Sequence, residues 1–287
     1  MQKPIIYTSD FLRTTPETTC VAEAISAALE RLHIEHRELK NTNDYWCRDY
    51  MPIRISDSGI YAKYNYYPDY LADYKTKRKY ITKQEDACQG LEFLTPVDLD
   101  IVLDGGNYVR CGDKVIMTDK IFMENPTWSA RNLINHLCES LNADIILLPW
   151  DMEDDCGHSD GMVSYLGDNR ILLNSCWRNT DKSFHKRLLK ILQPNFEVIE
   201  PVYGCKEDKN SWCYLNYLQL PNAILLPVLS EKTDCKNDIA AIAYFEKLFP
   251  NLKIIPIYAL PLIKKGGALH CVTWEYIEPQ PLFSCEK

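Results

Sequence analysis

Three stretches of the sequence couple an amphipathic helix pattern to a short apolar strand that runs into a proline. They are Trp128 to Leu141 then Ile145 to Pro149, Phe184 to Leu192 then Val198 to Pro201, and Ile239 to Phe249 then Ile254 to Pro256. The three prolines follow one another at intervals of 52 and 55 residues. A similar step back from Pro149 reaches Pro96, behind the strand-like Leu91-Glu92-Phe93-Leu94, and one more reaches the neighbourhood of Asn43. Five units of that period nearly fill the chain. An opening helix, with Pro16 in its first turn and Val21, Ile25, Leu29 and Leu32 on one face, belongs to the first unit. One strand and one helix cannot bury their apolar faces alone, so a repeat of such units implies radial stacking. The expectation is an α/β fold of the five-bladed, pseudo-symmetric propeller type, a single domain over residues 1–287. Generic strand–helix alternation also permits an ordinary doubly wound sheet.

A chain of 287 residues with 46% hydrophobic and 25% charged side chains can bury a large core and is neither disordered nor a disulfide-stapled miniprotein. Its formal charge is −8, and the densest basic run is only Lys75 to Lys79, so the footprint of a nucleic-acid binder is missing and a cationic ligand fits better. The longest apolar run, Ile254 to Ile263, carries Pro256 and Pro261 and is too short to cross a bilayer. The first residues lack the apolar stretch of a signal peptide, and the 12 cysteines include no CxxC pair. No membrane partner and free thiols in the cytoplasm are the resulting expectations.

Polar clusters recur at one end of each unit: Trp46-Cys47-Arg48-Asp49, Asp104-Gly105-Gly106-Asn107, Gly157-His158-Ser159-Asp160, Tyr214-Leu215-Asn216 and Gly266-Gly267-Ala268-Leu269-His270-Cys271. In a closed radial array such equivalent positions face one central cavity. Taken singly, each has a plain reading. Asp49 beside Arg48 is a surface ion pair, Gly-Gly a turn, Cys271 a small buried hydrophobe, His158 and His270 satisfied core histidines. Their joint recurrence at one period favours a site holding a thiol, an imidazole and carboxylates.

The segments Asn43 to Pro52, Asp104 to Asn107, Gly157 to Gly161 and Gly266 to Thr273 resemble, in order and spacing, the signature segments of the agmatine deiminase and bacterial-type peptidyl-arginine deiminase family. Fainter echoes are Glu124-Asn125-Pro126, and Asn216 with Asp238-Ile239-Ala240-Ala241. The resemblance implies the pentein-like five-bladed propeller of guanidino-modifying enzymes. It also assigns Cys271 as nucleophile, His158 as acid and base, Asp49 and Asp160 as the carboxylates on the guanidinium, and Asn216 as a supporting hydrogen-bonder. Trp46 and Asn107 join the substrate-binding set, and Asp44 is expected to lie away from the guanidinium. Members of that family are often dimers, so a homodimer is the assembly it implies. The chain departs from the pattern in being shorter, in lacking a tryptophan-rich opening before residue 40, and at Met51, Ser164 and Ala268, where the pattern has glycine, a basic residue and glycine.

Chemically, a guanidinium is a planar cation with five donors that carboxylates hold through paired, charge-assisted hydrogen bonds. Such a clamp sets the central carbon at attack distance from a thiolate. The implied reaction is hydrolysis of a small cationic guanidino substrate to a ureido group with release of ammonia, through a thiouronium on Cys271, without cofactor or metal. Agmatine is the favoured substrate. Peptidyl-arginine or free arginine requires a cation for the carboxylate, for which Arg54 and Arg110 are the nearby candidates. Other readings are amidino transfer to an amine, plain guanidino binding, and a zinc hydrolase with Cys271, His158 and Asp160 as ligands, which no metal-ligand spacing supports.

Overall fold

The computed structural model describes residues 3–56, 58–203, 210–232 and 234–279. Among the described residues fifteen strands form five three-stranded sheets, each combining an antiparallel pair with a parallel pair. The second sheet joins β3 (Ile53–Arg54), β4 (Ile60–Asn65) and β5 (Leu94–Val102). The third joins β6 (Val109–Cys111), β7 (Lys114–Thr118) and β8 (Asp144–Leu148), the fourth β9 (Val163–Gly167), β10 (Arg170–Leu173) and β11 (Glu197–Ile199), and the fifth β12 (Leu218–Leu220), β13 (Ala223–Val228) and β14 (Lys253–Tyr258). The first sheet is assembled from both ends of the chain. β1 (Ile5–Ser9) pairs in parallel with β2 (His36–Leu39) and antiparallel with β15 (Trp274–Tyr276), in the register Tyr7 opposite Trp274.

A parallel pair cannot be joined by a tight turn, so each sheet needs a crossover, and amphipathic helices supply it in four of the five. The helix Thr19–Arg31 buries Val21, Ile25 and Leu29, and Ala130–Leu141, Lys182–Leu192 and Lys236–Leu248 lie over the third, fourth and fifth sheets. Asn142, in the left-handed conformation, ends the second of these helices; Asp181 caps the next by accepting from the Ser183 and Phe184 amides. The second sheet instead uses the short helices Asp69–Ala72 and Gln84–Ala87.

Three sequence expectations shift. Pro16 precedes the first long helix, whose N-cap is Thr18. Pro96 and Pro256 lie inside β5 and β14 rather than closing a strand. Both strands are sheet edges, where a missing N–H deprives no neighbour.

Closure of the first sheet is sealed by aromatic rings. Trp274 is 2% exposed and stacks on Tyr276 at 5.5 Å, with Tyr7 and Tyr61 each 5.7 Å from it. Its indole N–H donates to the Pro52 carbonyl at 2.8 Å, which ties β15 to the second sheet as well.

The five segments that pass from one sheet to the next carry the polar clusters. They are the helix Cys47–Tyr50, the single 3-10 turns Gly105–Asn107 and Ser159–Gly161, the longer Ser211–Leu215, and the turn over residues 264–273. They are cross-linked to one another: Gly106 N–H to Asp49 Oδ1, His158 Nε2 to Asp104 Oδ2, His270 N–H to the Asn216 carbonyl, and Arg48 N–H to the Cys271 carbonyl. The innermost strand of every blade, β3, β6, β9, β12 and β15, contributes to one axial cavity of about 460 Å³. The inter-blade segments stand between it and a second cavity.

Candidate active site

That second cavity, about 700 Å³, is lined by Trp46, Asp49, His158, Asp160, Asn216 and Cys271 together with aromatic and acidic side chains from the flanking loops. Four of the five inter-blade segments thus deliver candidate residues to one space, as radial stacking requires. Gly106 has to be glycine, because a β-carbon there would lie 2.5 Å from His158 Nδ1 and 2.7 Å from Asp49 Oδ1. A side chain at Gly267 would collide with the Trp46 indole, which walls the cavity edge-on to Tyr45.

His158 is held at both nitrogens, with Nε2 3.1 Å from Asp104 Oδ2 and Nδ1 3.6 Å from Asp49 Oδ1. Burial alone disfavours the imidazolium, but the Asp49 and Asp104 carboxylates outweigh it and push the pKa up to about 10. Asp49 is raised to about 7, chiefly by burial and by the carboxylates of Asp104 and Asp160, against the opposing pull of His158. His158 is therefore a charged donor.

Asp160 behaves differently. Its Oδ2 accepts from His270 Nδ1 at 2.7 Å and lies 3.9 Å from Cys271 Sγ. Burial works to raise its pKa, but the bond from His270 holds the carboxyl below the usual range. His270 itself is lowered by burial and by Arg48, so it serves as a neutral donor. Cys271 is a free, half-buried thiol raised well above the ordinary range by burial and by Asp160 and Asp49. Asn216 Oδ1 accepts from the Ala268 and Cys271 amides at 3.2 and 3.3 Å, which sets the turn that carries the thiol, while its buried Nδ2 has no partner among the described residues.

Several sequence expectations need correcting. Asn107 does not line the cavity. It is 2% exposed and its Oδ1 accepts from the Thr118 amide at 2.7 Å, a bond internal to the third blade. Asp44, expected away from the guanidinium, is a lining residue of the same cavity, with its Oδ1 accepting from the Trp46 amide and its pKa raised to about 8 by burial and by Asp49 and Asp104. Arg54 and Arg110 open on the axial cavity, on β3 and β6, and do not reach the space beside Cys271.

Two groups escaped the sequence reading. Asp104 stands in one of the recurring polar clusters with no role assigned to it there, and it holds His158. Lys120, with no exposed side-chain surface, pins the loops that wall the cavity: its Nζ lies 2.8 Å from Asp69 Oδ1, 2.9 Å from the Asp155 carbonyl and 3.1 Å from that of Cys156. A lysine on a short helix offers no signal for this. Among the described residues, no group of three or more His, Cys, Asp or Glu is arranged to hold a metal ion, and no helix is long and apolar enough to cross a membrane.

Comparison with known proteins agrees with this architecture. A Legionella pneumophila (strain Paris) protein with a provisional agmatine deiminase name is 24% identical over 200 residues, covering 60% of this chain and 55% of its own length. The chain thus spans little more than half of that relative. Among solved structures, the agmatine deiminase of C. jejuni superposes with a TM-score of 0.72 at 17% identity, covering 97% of this chain and 95% of that one. The DDAH of Pseudomonas aeruginosa superposes at 0.57 with 13% identity, over 96% and 100% of the two chains. At such identities the likeness carries the fold, a pentein-like five-bladed α/β arrangement. The model of the Porphyromonas-type peptidyl-arginine deiminase family matches residues 8–276. Because that match takes in all five blades and every segment around the cavity, the chain belongs to the Porphyromonas-type peptidyl-arginine deiminase family.

Proposed function

We propose that this protein hydrolyses a guanidino group to a ureido group with release of ammonia, the five blades acting as one catalytic domain and agmatine being the preferred substrate. The observation that carries the reading is the convergence of Cys271, His158, Asp49 and Asp160 on one cavity from three different inter-blade segments.

Each group has a task that its environment suits. Asp49 and Asp160 take the guanidinium nitrogens by charge-assisted bonds. The incoming cation offsets the burial and the carboxylates that keep Cys271 protonated, so the thiol releases its proton to solvent once substrate is bound. The thiolate adds to the guanidinium carbon, and the carbon–nitrogen bond breaks as His158 gives its proton to the departing ammonia. A thiouronium then joins substrate and Cys271. The now neutral His158 takes a proton from water as its oxygen adds to the same carbon. The carbon–sulfur bond breaks and the new hydroxyl's proton passes to sulfur, leaving the ureido product and the free cysteine.

The preference for agmatine rests on the charge of the cavity. Six carboxyl groups line it, Asp44, Asp49, Glu153, Asp154, Asp155 and Asp160, and its cations are Lys265 and His158. No arginine lines it among the described residues, so a substrate carboxylate lacks a bidentate partner, whereas a second ammonium has several.

The test measures ammonia and ureido product together for agmatine, free arginine and a peptide containing arginine. Agmatine is expected to have the highest kcat/KM, and Cys271→Ser to abolish every turnover. Absence of ureido product from all three would overturn the reaction, and a clear preference for arginine would overturn the assignment of substrate.

A further inference from the structure

The axial cavity shares only Asp160 with the catalytic one. It is nevertheless rich in charge. Arg48, Arg54 and Arg110 line it against two acids, Asp160 and Glu275, and Asp160 is already engaged by His270. Among the described residues, no carboxylate lies within ion-pair distance of Arg48 or Arg110, and Arg54 reaches Glu275 only at 3.7 Å. Arg110 spends its nitrogens on the Gly112, Leu141 and Asn142 carbonyls, which fix its fork without neutralising it. The Arg48 fork is bound more loosely, with one 3.4 Å contact from Nε to the His270 carbonyl.

A second kind of donor faces the same space. Tyr217 is 3% exposed and its hydroxyl oxygen accepts from Ser164 at 2.8 Å, so its own proton is free to be donated into the cavity. With Arg48 and Arg110 out of ion-pair reach of any described carboxylate, an oxyanion in this space would gain charge-assisted donors, and about 460 Å³ lies in the range of small-ligand sites. We infer that the bore of the propeller is a binding site for a small oxyanion, taken by the Arg48 and Arg54 guanidinium forks with the Tyr217 hydroxyl as third donor.

The site is distinct from the catalytic cavity and yet adjoins its machinery. The Arg48 amide donates to the Cys271 carbonyl at 3.1 Å, so the residue that receives the anion also supports the nucleophile's turn. A guanidino substrate and the anion bind on opposite sides of these segments and do not compete for space.

The experiment is calorimetric titration of the intact protein with inorganic phosphate and, in a parallel arm, acetate, at ionic strength held constant with chloride. Wild type should show saturable one-site binding of at least one of the two, and the arm that saturates identifies the oxyanion as phosphate or carboxylate. Arg54→Gln should weaken it roughly tenfold or more, as loss of a hydrogen bond to a charged group does, while deiminating at the wild-type rate without added anion. Tyr217→Phe, which removes only the hydroxyl, should weaken it as well and guards against a folding defect in the first variant. Absence of saturable binding in both arms, equal affinity in wild type and both variants, or competitive displacement by agmatine would overturn the inference.

Discussion

Asp104 Oδ2 stands 3.1 Å from His158 Nε2, so the nitrogen of the imidazole that points away from Asp49 is already committed to a carboxylate. The ring is thereby oriented with Nδ1 toward Asp49 and the cavity. Asp104→Asn should keep the fold but lose the anion that favours the imidazolium. We expect kcat to fall roughly 100-fold, the lower end of what a positioned acid–base group contributes. The alkaline limb of the pH profile should also move to lower pH, because the imidazolium gives up its proton more readily. A profile that merely scales down, with both limbs in place, would contradict this role.

Asp49→Asn and Asp160→Asn remove one partner each from a desolvated ion pair with the substrate. Such losses cost about 2–5 kcal/mol, or roughly 30-fold to several thousand-fold in kcat/KM. The deficit should appear for every guanidino substrate, whatever its distal group, with the melting temperature unchanged. Near-normal turnover by either variant would sink the clamp.

The unperturbed enzyme should show a bell-shaped dependence of kcat/KM on pH. Asp49, raised to about 7, must lose its proton to hold the guanidinium, so activity rises through that value. His158, raised to about 10, must keep its proton to release ammonia, so activity falls above that value. Both limbs belong to the interacting pair rather than to either residue alone. A profile already flat at pH 5 would show that Asp49 is not the group being titrated.

Asn107→Ala tests a residue whose sequence context suggests substrate binding and whose position does not. Its Oδ1 satisfies the buried Thr118 amide, so removal should cost about 1–3 kcal/mol of stability. Denaturant midpoint should drop while KM for agmatine stays put. A raised KM with unchanged stability would restore the residue to the binding site.

Trp274→Ala strikes the closure of the first blade. Truncating a fully buried tryptophan costs about 3–5 kcal/mol, and here the indole also gives up its bond to the Pro52 carbonyl. The urea midpoint should shift accordingly, a change readily seen by circular dichroism.

What the sequence discloses follows from periodicity. Helix–strand units at a near-constant interval announce five blades because each unit is the same solution to burying an apolar face. Residues at the same phase, such as Asp49, His158 and Cys271, could be placed in one cavity for that reason. The pairing of β15 with β1 was not legible, since three residues, Trp274 to Tyr276, carry no pattern of their own and pair across nearly the whole chain. Lys120 was equally hidden: a buried lysine is defined by its partners, Asp69 and the carbonyls of Asp155 and Cys156, and none of these is a sequence neighbour. Asn107 misled because its phase is that of the site residues while its side chain turns back into its own blade. Ala268, a departure from the family pattern, costs the site nothing visible, as its contribution is a backbone N–H given to Asn216.

The sheet that closes the ring also sets an order of events. On the ribosome, β1 emerges early and waits for a partner that is made only after every strand of the other four blades, and Cys271 lies three residues ahead of that partner. The nucleophile therefore enters the chain almost together with the strand that locks the ring. A nascent chain without it holds His158, Asp49 and Asp160 but not Cys271, so the thiol of this cavity arrives with the completion of the ring and not before.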